Sequence, residues 1–239
     1  MMAIAICAER PYVHPSIFAA KTPDKPAVIM AGSGQTLTYR QLDARSNQGA
    51  QLFRDLGLST GDGIALFADN SPHFFEICWA AQRAGLYYTC ISTRLTAREV
   101  EYIVRDSGAK VLIAGHSLYG TASELVGLLP EIECFMLGGV VEGYRSYEEA
   151  AARMSAVPID DQSAGADMLY SSGTTGRPKG VRHALTGDAI DAPSPLLGLV
   201  VTLFGASENS IYLSPAPLYH AAPLRYCMSM HRIGASSCR

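Results

Sequence analysis

The sequence is poor in charged residues and has no apolar run long enough to cross a membrane. Only 17% of its 239 residues are charged, and 48% are hydrophobic. Because this composition is too apolar for a disordered chain, it indicates a packed globular protein. The longest apolar stretch, Leu196 to Phe204, is about half the length that a bilayer requires. We therefore expect no transmembrane segment and predict a core helix there.

The sequence also lacks an excess of basic residues and any closely spaced pair of cysteines. Its formal net charge is -3, with Lys and Arg scattered among Asp and Glu, so we expect no basic face for nucleic acid. The six cysteines lie far apart, without histidines at metal-ligand spacing, and we expect reduced thiols. The apolar run from Met2 to Cys7 has no basic lead-in and ends too soon for a signal peptide. These features favour a cytoplasmic protein.

Short β-rich runs alternate with longer amphipathic stretches from Ala27 onward. This alternation is typical of βαβ units and predicts an α/β fold, with parallel sheets flanked by helices. Thr38 is placed to cap one helix, and Ser71-Pro72 to begin another. Thr96 and Glu99 have the spacing of a capping box, which predicts a helix over residues 97–106.

The predicted strands lie between these helices, at residues 63–68, 87–91 and 110–114. Residues 145–163 are polar enough to be a surface crossing. The length suffices for one large domain or two small ones, and the sequence contains no internal repeat that would divide it further.

Residues 168–181 combine hydroxyl side chains, glycines and a lysine, in the order Met-Leu-Tyr-Ser-Ser-Gly-Thr-Thr-Gly-Arg-Pro-Lys-Gly-Val. Glycines let backbone N–H groups approach an anion without a Cβ in the way, and hydroxyls add further donors. The positive charge of Lys179 makes the segment well suited to a polyphosphate. The candidate phosphate-binding residues are Ser171, Ser172, Gly173, Thr174, Thr175, Gly176 and Lys179.

Two other interpretations of residues 168–181 are a solvated turn and a Walker loop. A short cluster of Ser, Thr and Gly is more often a solvated turn, but ten positions of one pattern favour the phosphate loop. A Walker loop, and with it a kinase or P-loop ATPase, is disfavoured because Lys179 is followed by Gly180 and not by Ser or Thr.

The run Ser-Ser-Gly-Thr-Thr-Gly-x-Pro-Lys-Gly resembles the phosphate-loop signature of the acyl-adenylate-forming superfamily, which includes acyl-CoA synthetases, luciferases and peptide-synthetase adenylation domains. Residues 61–108 resemble the N-terminal βαβ units of that superfamily, and Pro217-Leu-Tyr-His-Ala-Ala-Pro-Leu224 resembles its next motif. The resemblance implies an AMP-forming, fatty-acid–CoA ligase-like protein, truncated within the large N-terminal domain of the acyl-adenylate-forming fold.

In such a ligase a carboxylate attacks the α-phosphate of ATP, pyrophosphate leaves, and coenzyme A displaces AMP. The resemblance therefore implies ATP, Mg²⁺ and coenzyme A as family substrates and cofactors, with a fatty acid as the expected acid. It implies that the loop and Lys179 hold the phosphates, and that Thr174 or Thr175 contacts Mg²⁺. It also implies that His220 lines the acyl pocket, although a lone histidine in an apolar setting is more often structural.

Later parts of the family pattern are not found in this sequence: the Tyr-Gly-x-Thr-Glu segment, the ribose-binding Asp, the hinge, and the C-terminal domain with the adenylation lysine. We therefore expect a partial AMP-binding domain over residues 1–235 and a non-family tail over residues 236–239, which a shifted reading frame would explain. We expect the chain to be inactive alone and not to bind coenzyme A. We also expect an open sheet edge, with a loosely folded segment after Val181.

The sequence leaves three functions open. The first is an acyl-CoA ligase by ancestry. The second is a module that binds nucleotide or acyl chains without turnover, or one half of a split ligase whose C-terminal half is separately encoded. The third is a remnant with no biochemical role.

Overall fold

The computed structural model describes residues 13–171 and 178–239. Within them the helices are α1 (Pro15–Lys21), α2 (Tyr39–Asp55), α3 (Pro72–Arg83), α4 (Ala97–Ser107), α5 (Tyr119–Leu128), α6 (Tyr147–Ala152), α7 (Pro195–Phe204) and α8 (Ala221–Arg232). The strands are β1 (Pro26–Ile29), β2 (Thr36–Thr38), β3 (Gly63–Phe67), β4 (Tyr87–Cys90), β5 (Ala109–Gly115), β6 (Glu133–Leu137), β7 (Arg145–Ser146), β8 (Ala166–Asp167), β9 (Leu169–Ser171), β10 (Lys179–Val181), β11 (Ile211–Leu213) and β12 (Ser236–Cys238).

Six strands form a sheet in the order β7-β6-β5-β3-β4-β8, and every neighbouring pair is parallel. Strand β3 is buried along its whole length, as expected for a parallel sheet covered on both faces. Its residues alternate between two clusters, since Ile64 and Leu66 pack with α2 and α3, whereas Ala65 and Phe67 pack with α4 and α5. The predicted α/β class, with a parallel sheet between helices, is confirmed.

A second sheet has the strand order β11-β12-β1-β2. Strand β12 lies inside it and pairs in parallel with both β1 and β11, with Ser237 opposite Val28. The sequence analysis interpreted residues 236–239 as a non-family tail and expected an open sheet edge, whereas residues 236–238 form a strand inside this sheet. The domain division at residue 235 stays a prediction.

The predicted helix starts are confirmed, at Thr38 and Thr96 by capping boxes and at Ser71 by a helix that begins at Pro72 without a side-chain cap. The Thr38 hydroxyl accepts from the Gln41 backbone N–H at 3.3 Å, while the Gln41 side chain accepts from the Thr38 N–H at 2.9 Å. At the start of α4, Glu99 accepts from the Thr96 N–H at 2.8 Å. These bonds satisfy donors that have no partner inside the helix.

The stretch at residues 145–163 is more than a surface crossing, and that interpretation was wrong in part. It contains β7 at the sheet edge and the helix α6, which buries Tyr147 and Ala151. The Tyr147 ring packs edge-on against Phe135 of β6, with ring centroids 6.4 Å apart. With Ile159, three buried side chains bring a mostly polar segment against the core.

Helix α7 forms as predicted but is a surface helix with one buried side. Leu197 and Val200 are fully buried, whereas Leu203 and Phe204 are 66% and 61% exposed. Its apolar composition therefore did not indicate how much of it is covered.

Two further expectations are tested within the described residues. Cys78, Cys90, Cys134, Cys227 and Cys238 are free thiols, as expected, while Cys7 lies outside the described residues. None of the helices described is both long and apolar enough to span a bilayer.

Candidate functional site

The candidate phosphate loop connects two strands of a hairpin. Strands β9 and β10 pair antiparallel, and Lys179 lies directly opposite Ser171. Both residues are exposed, and among the described residues Lys179 has no acidic partner within ion-pair distance. The other loop candidates, Ser172, Gly173, Thr174, Thr175 and Gly176, lie outside the described residues. The hairpin thus brings the first and last candidates together at the base of the loop.

Gly180 is required by close packing inside this hairpin. A Cβ at that position would lie 2.7 Å from the Cε atom of Met168 and 2.8 Å from the Cζ atom of Tyr170. The sequence analysis attributed the loop glycines to the approach of an anion. At Gly180 the group that approaches is the tyrosine ring of the opposite strand.

Helix α4 holds the hairpin in place through two tyrosines. The Tyr102 hydroxyl donates to the Pro178 carbonyl at 3.3 Å, and the Tyr170 hydroxyl donates to Asp106 Oδ2 at 2.5 Å. Burial, together with the Asp106 carboxylate, raises the pKa of Tyr170 far above its usual range, so the hydroxyl remains a donor. No motif in the sequence indicated Tyr102 or Asp106, because their role depends on where α4 packs.

His220 lies immediately before α8, at the N-cap position with extended backbone angles. Its side chain is exposed, and its ring centroid is 4.6 Å from that of Tyr219. Two residues earlier, the Leu218 N–H donates to Asn70 Oδ1 at 2.9 Å, which anchors the segment before His220. Asn70 follows β3, so the motif containing His220 lies beyond the carboxyl end of a parallel strand, where ligands of open α/β sheets usually bind.

A cavity of about 780 Å³ begins next to this motif. Ala221 and Ala222, the first residues of α8, line it, but His220 itself does not. The other walls are formed by α3, β4, β8 and the segment between β10 and α7. The lining side chains include Trp79, Tyr88, Asp167, Arg225, Tyr226 and Met228. A cavity of this size, lined by aromatic side chains together with charged ones, is large enough for a small molecule.

The cavity wall contains an ion pair that the sequence analysis missed. Arg225 Nε lies 2.7 Å from Asp167 Oδ2. Asp167 is also close to Tyr88, whose pKa is raised well above its usual value by burial first and by this carboxylate second. Asp167 lies two positions before the first residue of β9, so the same chain segment runs from the cavity wall into the candidate phosphate loop.

The structure does not test the proposed magnesium contacts. Thr174 and Thr175 lie outside the described residues. In the part of the chain that is described, no three His, Cys, Asp or Glu side chains are grouped as metal ligands.

The chain is similar to a family of known proteins. The family model described as "AMP-binding enzyme" matches residues 16–238. A fatty acid–[acyl-carrier-protein] ligase of Streptomyces coeruleorubidus is 32% identical over 187 residues, which are 74% of this chain and 35% of the relative. A long-chain-fatty-acid–CoA ligase of Mycobacterium tuberculosis is 30% identical over 216 residues, 86% of this chain and 40% of the relative.

Among solved structures, an anthranilate CoA ligase in complex with anthranoyl-AMP matches with a TM-score of 0.79 and 25% identity. The match covers 96% of this chain and 45% of that one. The chain thus spans less than half the length of these relatives.

Proposed function

This chain belongs to the AMP-binding enzyme family, and on that premise we propose that it provides the nucleotide- and acid-binding part of an ATP-dependent, AMP-forming acyl ligase. Its similarity to ligases that use fatty acids supports a fatty or related apolar carboxylic acid as substrate. The two relatives differ in their acceptor, coenzyme A or an acyl-carrier protein, and either acceptor is compatible with the proposal.

The proposed reaction joins the acid to AMP. A carboxylate oxygen bonds to the α-phosphorus of ATP while the bond from that phosphorus to the bridging oxygen breaks, and pyrophosphate leaves with the electron pair. A thiol then attacks the acyl carbon and releases AMP. Preorganised donors and a cation beside the leaving pyrophosphate lower the barrier to the first step.

The observation that carries the proposal is the pairing of Lys179 with Ser171. This register closes a seven-residue connection, 172–178, and the two residues that flank it supply a hydroxyl and an ammonium group at one place. The ammonium has no described acidic partner, so it is available to an anionic ligand. We propose that it binds the β- and γ-phosphates together with Ser172, Gly173, Thr174, Thr175 and Gly176.

The acid is proposed to bind in the cavity beside α8. Its carboxylate would lie near His220, because the residues that follow His220 line that cavity. The apolar part of the acid would extend along α8 past Tyr226 and Met228.

Two features of the proposal, Mg²⁺ and coenzyme A, come from the family alone. Mg²⁺, held by Thr174 or Thr175, would supply charge neutralisation for the phosphates when bound. Coenzyme A binding and a separately encoded C-terminal half concern parts of the enzyme beyond the site described above. A cytoplasmic location is proposed from the sequence, because the apolar run from Met2 to Cys7 has no basic lead-in and the cysteines lie far apart.

Binding of pyrophosphate and ATP to the purified chain, measured by titration calorimetry, tests the role of Lys179. Removing one charge-assisted hydrogen bond should weaken binding about 10- to 100-fold in Lys179→Ala. Lys179→Arg should retain part of the affinity, and Lys21→Ala, which removes an exposed lysine at the end of α1, should retain all of it. Equal affinities in Lys179→Ala and the unaltered chain would exclude Lys179 from phosphate binding.

Turnover separates a ligase from a binding module. In a longer version that carries the C-terminal domain of the family, Lys179→Ala should lower ATP–pyrophosphate exchange by about 10² to 10³, typical of losing one preorganised donor. Nucleotide binding without any exchange in that version would favour the module without turnover.

A further inference from the structure

The ion pair in the cavity wall is only partly satisfied. Arg225 contacts Asp167 through Nε alone, at 2.7 Å from Oδ2. Among the described residues, Oδ1 of Asp167 and the two terminal nitrogens of Arg225 have no hydrogen-bond partner. They are also absent from the buried polar atoms that lack a partner in the described chain, so they keep some exposure at the cavity wall.

Asp167 is largely enclosed, with 13% of its side chain exposed, and Arg225 is 39% exposed. A plain alkyl chain laid against them would remove their free atoms from water without replacing the lost hydrogen bonds. Leaving a buried polar group without a partner weakens binding by about 10-fold or more. The wall therefore disfavours an entirely apolar acid.

The charges of the cavity indicate which polar group fits. Four lining residues carry a full charge at neutral pH, and they balance: Asp167 and Asp188 against Arg225 and Arg232. A ligand group with a net charge would upset this balance. A hydroxyl is neutral, donates one hydrogen bond and accepts others, and so can serve the carboxylate oxygen and the guanidinium together.

We propose that this cavity selects a carboxylic acid that carries a hydroxyl group, which donates to Asp167 Oδ1 and accepts from Arg225. The proposal rests on the proposed function, since it assumes that the cavity holds the acid. It deepens that function by naming the substrate class and two specificity-determining residues.

The helix also limits where the hydroxyl lies. Arg225 follows His220 by five residues, which separates the two positions by about 7.5 Å along the axis of α8 and by about 140° around it. The hydroxyl therefore has to lie well away from the expected carboxylate position. A hydroxyl at the end of a short or medium acyl chain meets this condition.

Trp79 makes the test independent of turnover. It lines the cavity and is the only tryptophan in the sequence, so its emission reports a ligand entering there. The purified chain is titrated with octanoate and with ω-hydroxyoctanoate, and then with hexanoate and its ω-hydroxy derivative. We expect the hydroxylated acid of at least one pair to bind about 10-fold more tightly than the plain acid.

Two variants and one control isolate the ion pair. Asp167→Leu combined with Arg225→Leu removes both charges together, and the preference should disappear or reverse. Asp167→Asn leaves Arg225 without its counter-ion, so suberate, a dicarboxylate, should bind this variant better than ω-hydroxyoctanoate does. The control, Asp24→Leu combined with Arg40→Leu, removes an exposed ion pair outside the cavity and should keep the original preference. Circular dichroism checks that each variant is folded. If the double variant is unfolded, Asp167→Asn alone provides the test.

Equal affinity for plain and hydroxylated acids, or a preference that survives in the double variant, would overturn the proposal. So would the absence of any emission change with all four acids. Pyrophosphate binding through Lys179 is measured separately. Normal pyrophosphate binding together with equal affinity for plain and hydroxylated acids would reject this inference and leave the proposed function. A preference for hydroxylated acids, with pyrophosphate binding that does not depend on Lys179, would support this inference and reject the proposed role of Lys179.

Discussion

Gly180 illustrates, at the scale of single residues, how neighbours determine which side chain a position tolerates. Tyr170 cannot move aside easily because Asp106 holds its hydroxyl. We therefore expect Gly180→Ala to lower the free energy of unfolding by about 1–3 kcal/mol, the usual cost of overpacking. Denaturant titration measures it. The matched control is Gly120→Ala in α5, where nothing lies within 4 Å of the added Cβ and stability should stay equal or rise by up to about 1 kcal/mol. Equal losses in both variants would contradict this explanation.

Helix α4 shows, at the scale of elements, how a locally encoded helix positions a site. Its capping box with Thr96 and Glu99 starts the helix, and Tyr102 and Asp106 further along hold the hairpin. We expect Thr96→Ala to lower the free energy of unfolding by about 1 kcal/mol, as for other N-caps. Thr96→Ser keeps a hydroxyl cap and should restore most of that loss in the same denaturant titration. An alanine variant as stable as the unaltered chain would show that the cap contributes nothing.

At the scale of the whole molecule, a buried polar network around His231 connects three elements, α3, α8 and β12. Trp79 Nε1 of α3 donates to His231 Nδ1 at 3.2 Å, and Nε2 of the same ring lies 2.8 Å from Ser237 Oγ in β12. Because Nδ1 accepts, the ring proton is on Nε2 and is donated to the serine. Because α8 and β12 share this network with α3, the contacts favour unfolding of the segment after Val181 together with the rest of the chain. The loosely folded segment expected from the sequence stays a prediction, and denaturation decides between the two. Loss of Trp79 emission and of circular dichroism should coincide.

His231 also makes the stability of the fold depend on pH. Burial lowers its pKa to about 3, whereas in the unfolded chain it titrates near its usual value of about 6.5. Below about pH 6.5 the unfolded state takes up the proton first, so the free energy of unfolding falls as the pH falls toward 3. At pH 5 the loss is about 2 kcal/mol from this residue. Buried His14, whose pKa is also lowered, acts in the same direction, and His73, whose pKa is raised by its hydrogen bond to Glu76, acts in the opposite one.

The variant His231→Gln separates this contribution from the others. Denaturant titrations of both proteins at pH 7 and pH 5 should show a smaller decrease in the variant, by about 2 kcal/mol. An identical decrease in the two proteins would mean that His231 is not buried in its neutral form.

The local features of this protein could be read from its sequence. These features depend on interactions between residues a few positions apart. They are the helix starts at Thr38, Ser71 and Thr96, the strands of the six-stranded sheet near residues 63, 87 and 110, and the loop motif with Lys179. Caps, glycines and apolar periodicity record such interactions directly.

The tertiary structure alone decided which distant residues meet. The pair Asp167–Arg225 joins residues 58 positions apart, and nothing in either local sequence indicates the other. Likewise, the insertion of β12 between β1 and β11, with Ser237 bonded to His231, depends on chain segments that approach only when the sheets pack. The sequence by itself determined the fold class and the phosphate-loop motif, because both are encoded by short-range patterns. The cavity and its charged wall were decided by packing, because they are formed by side chains that no local pattern connects.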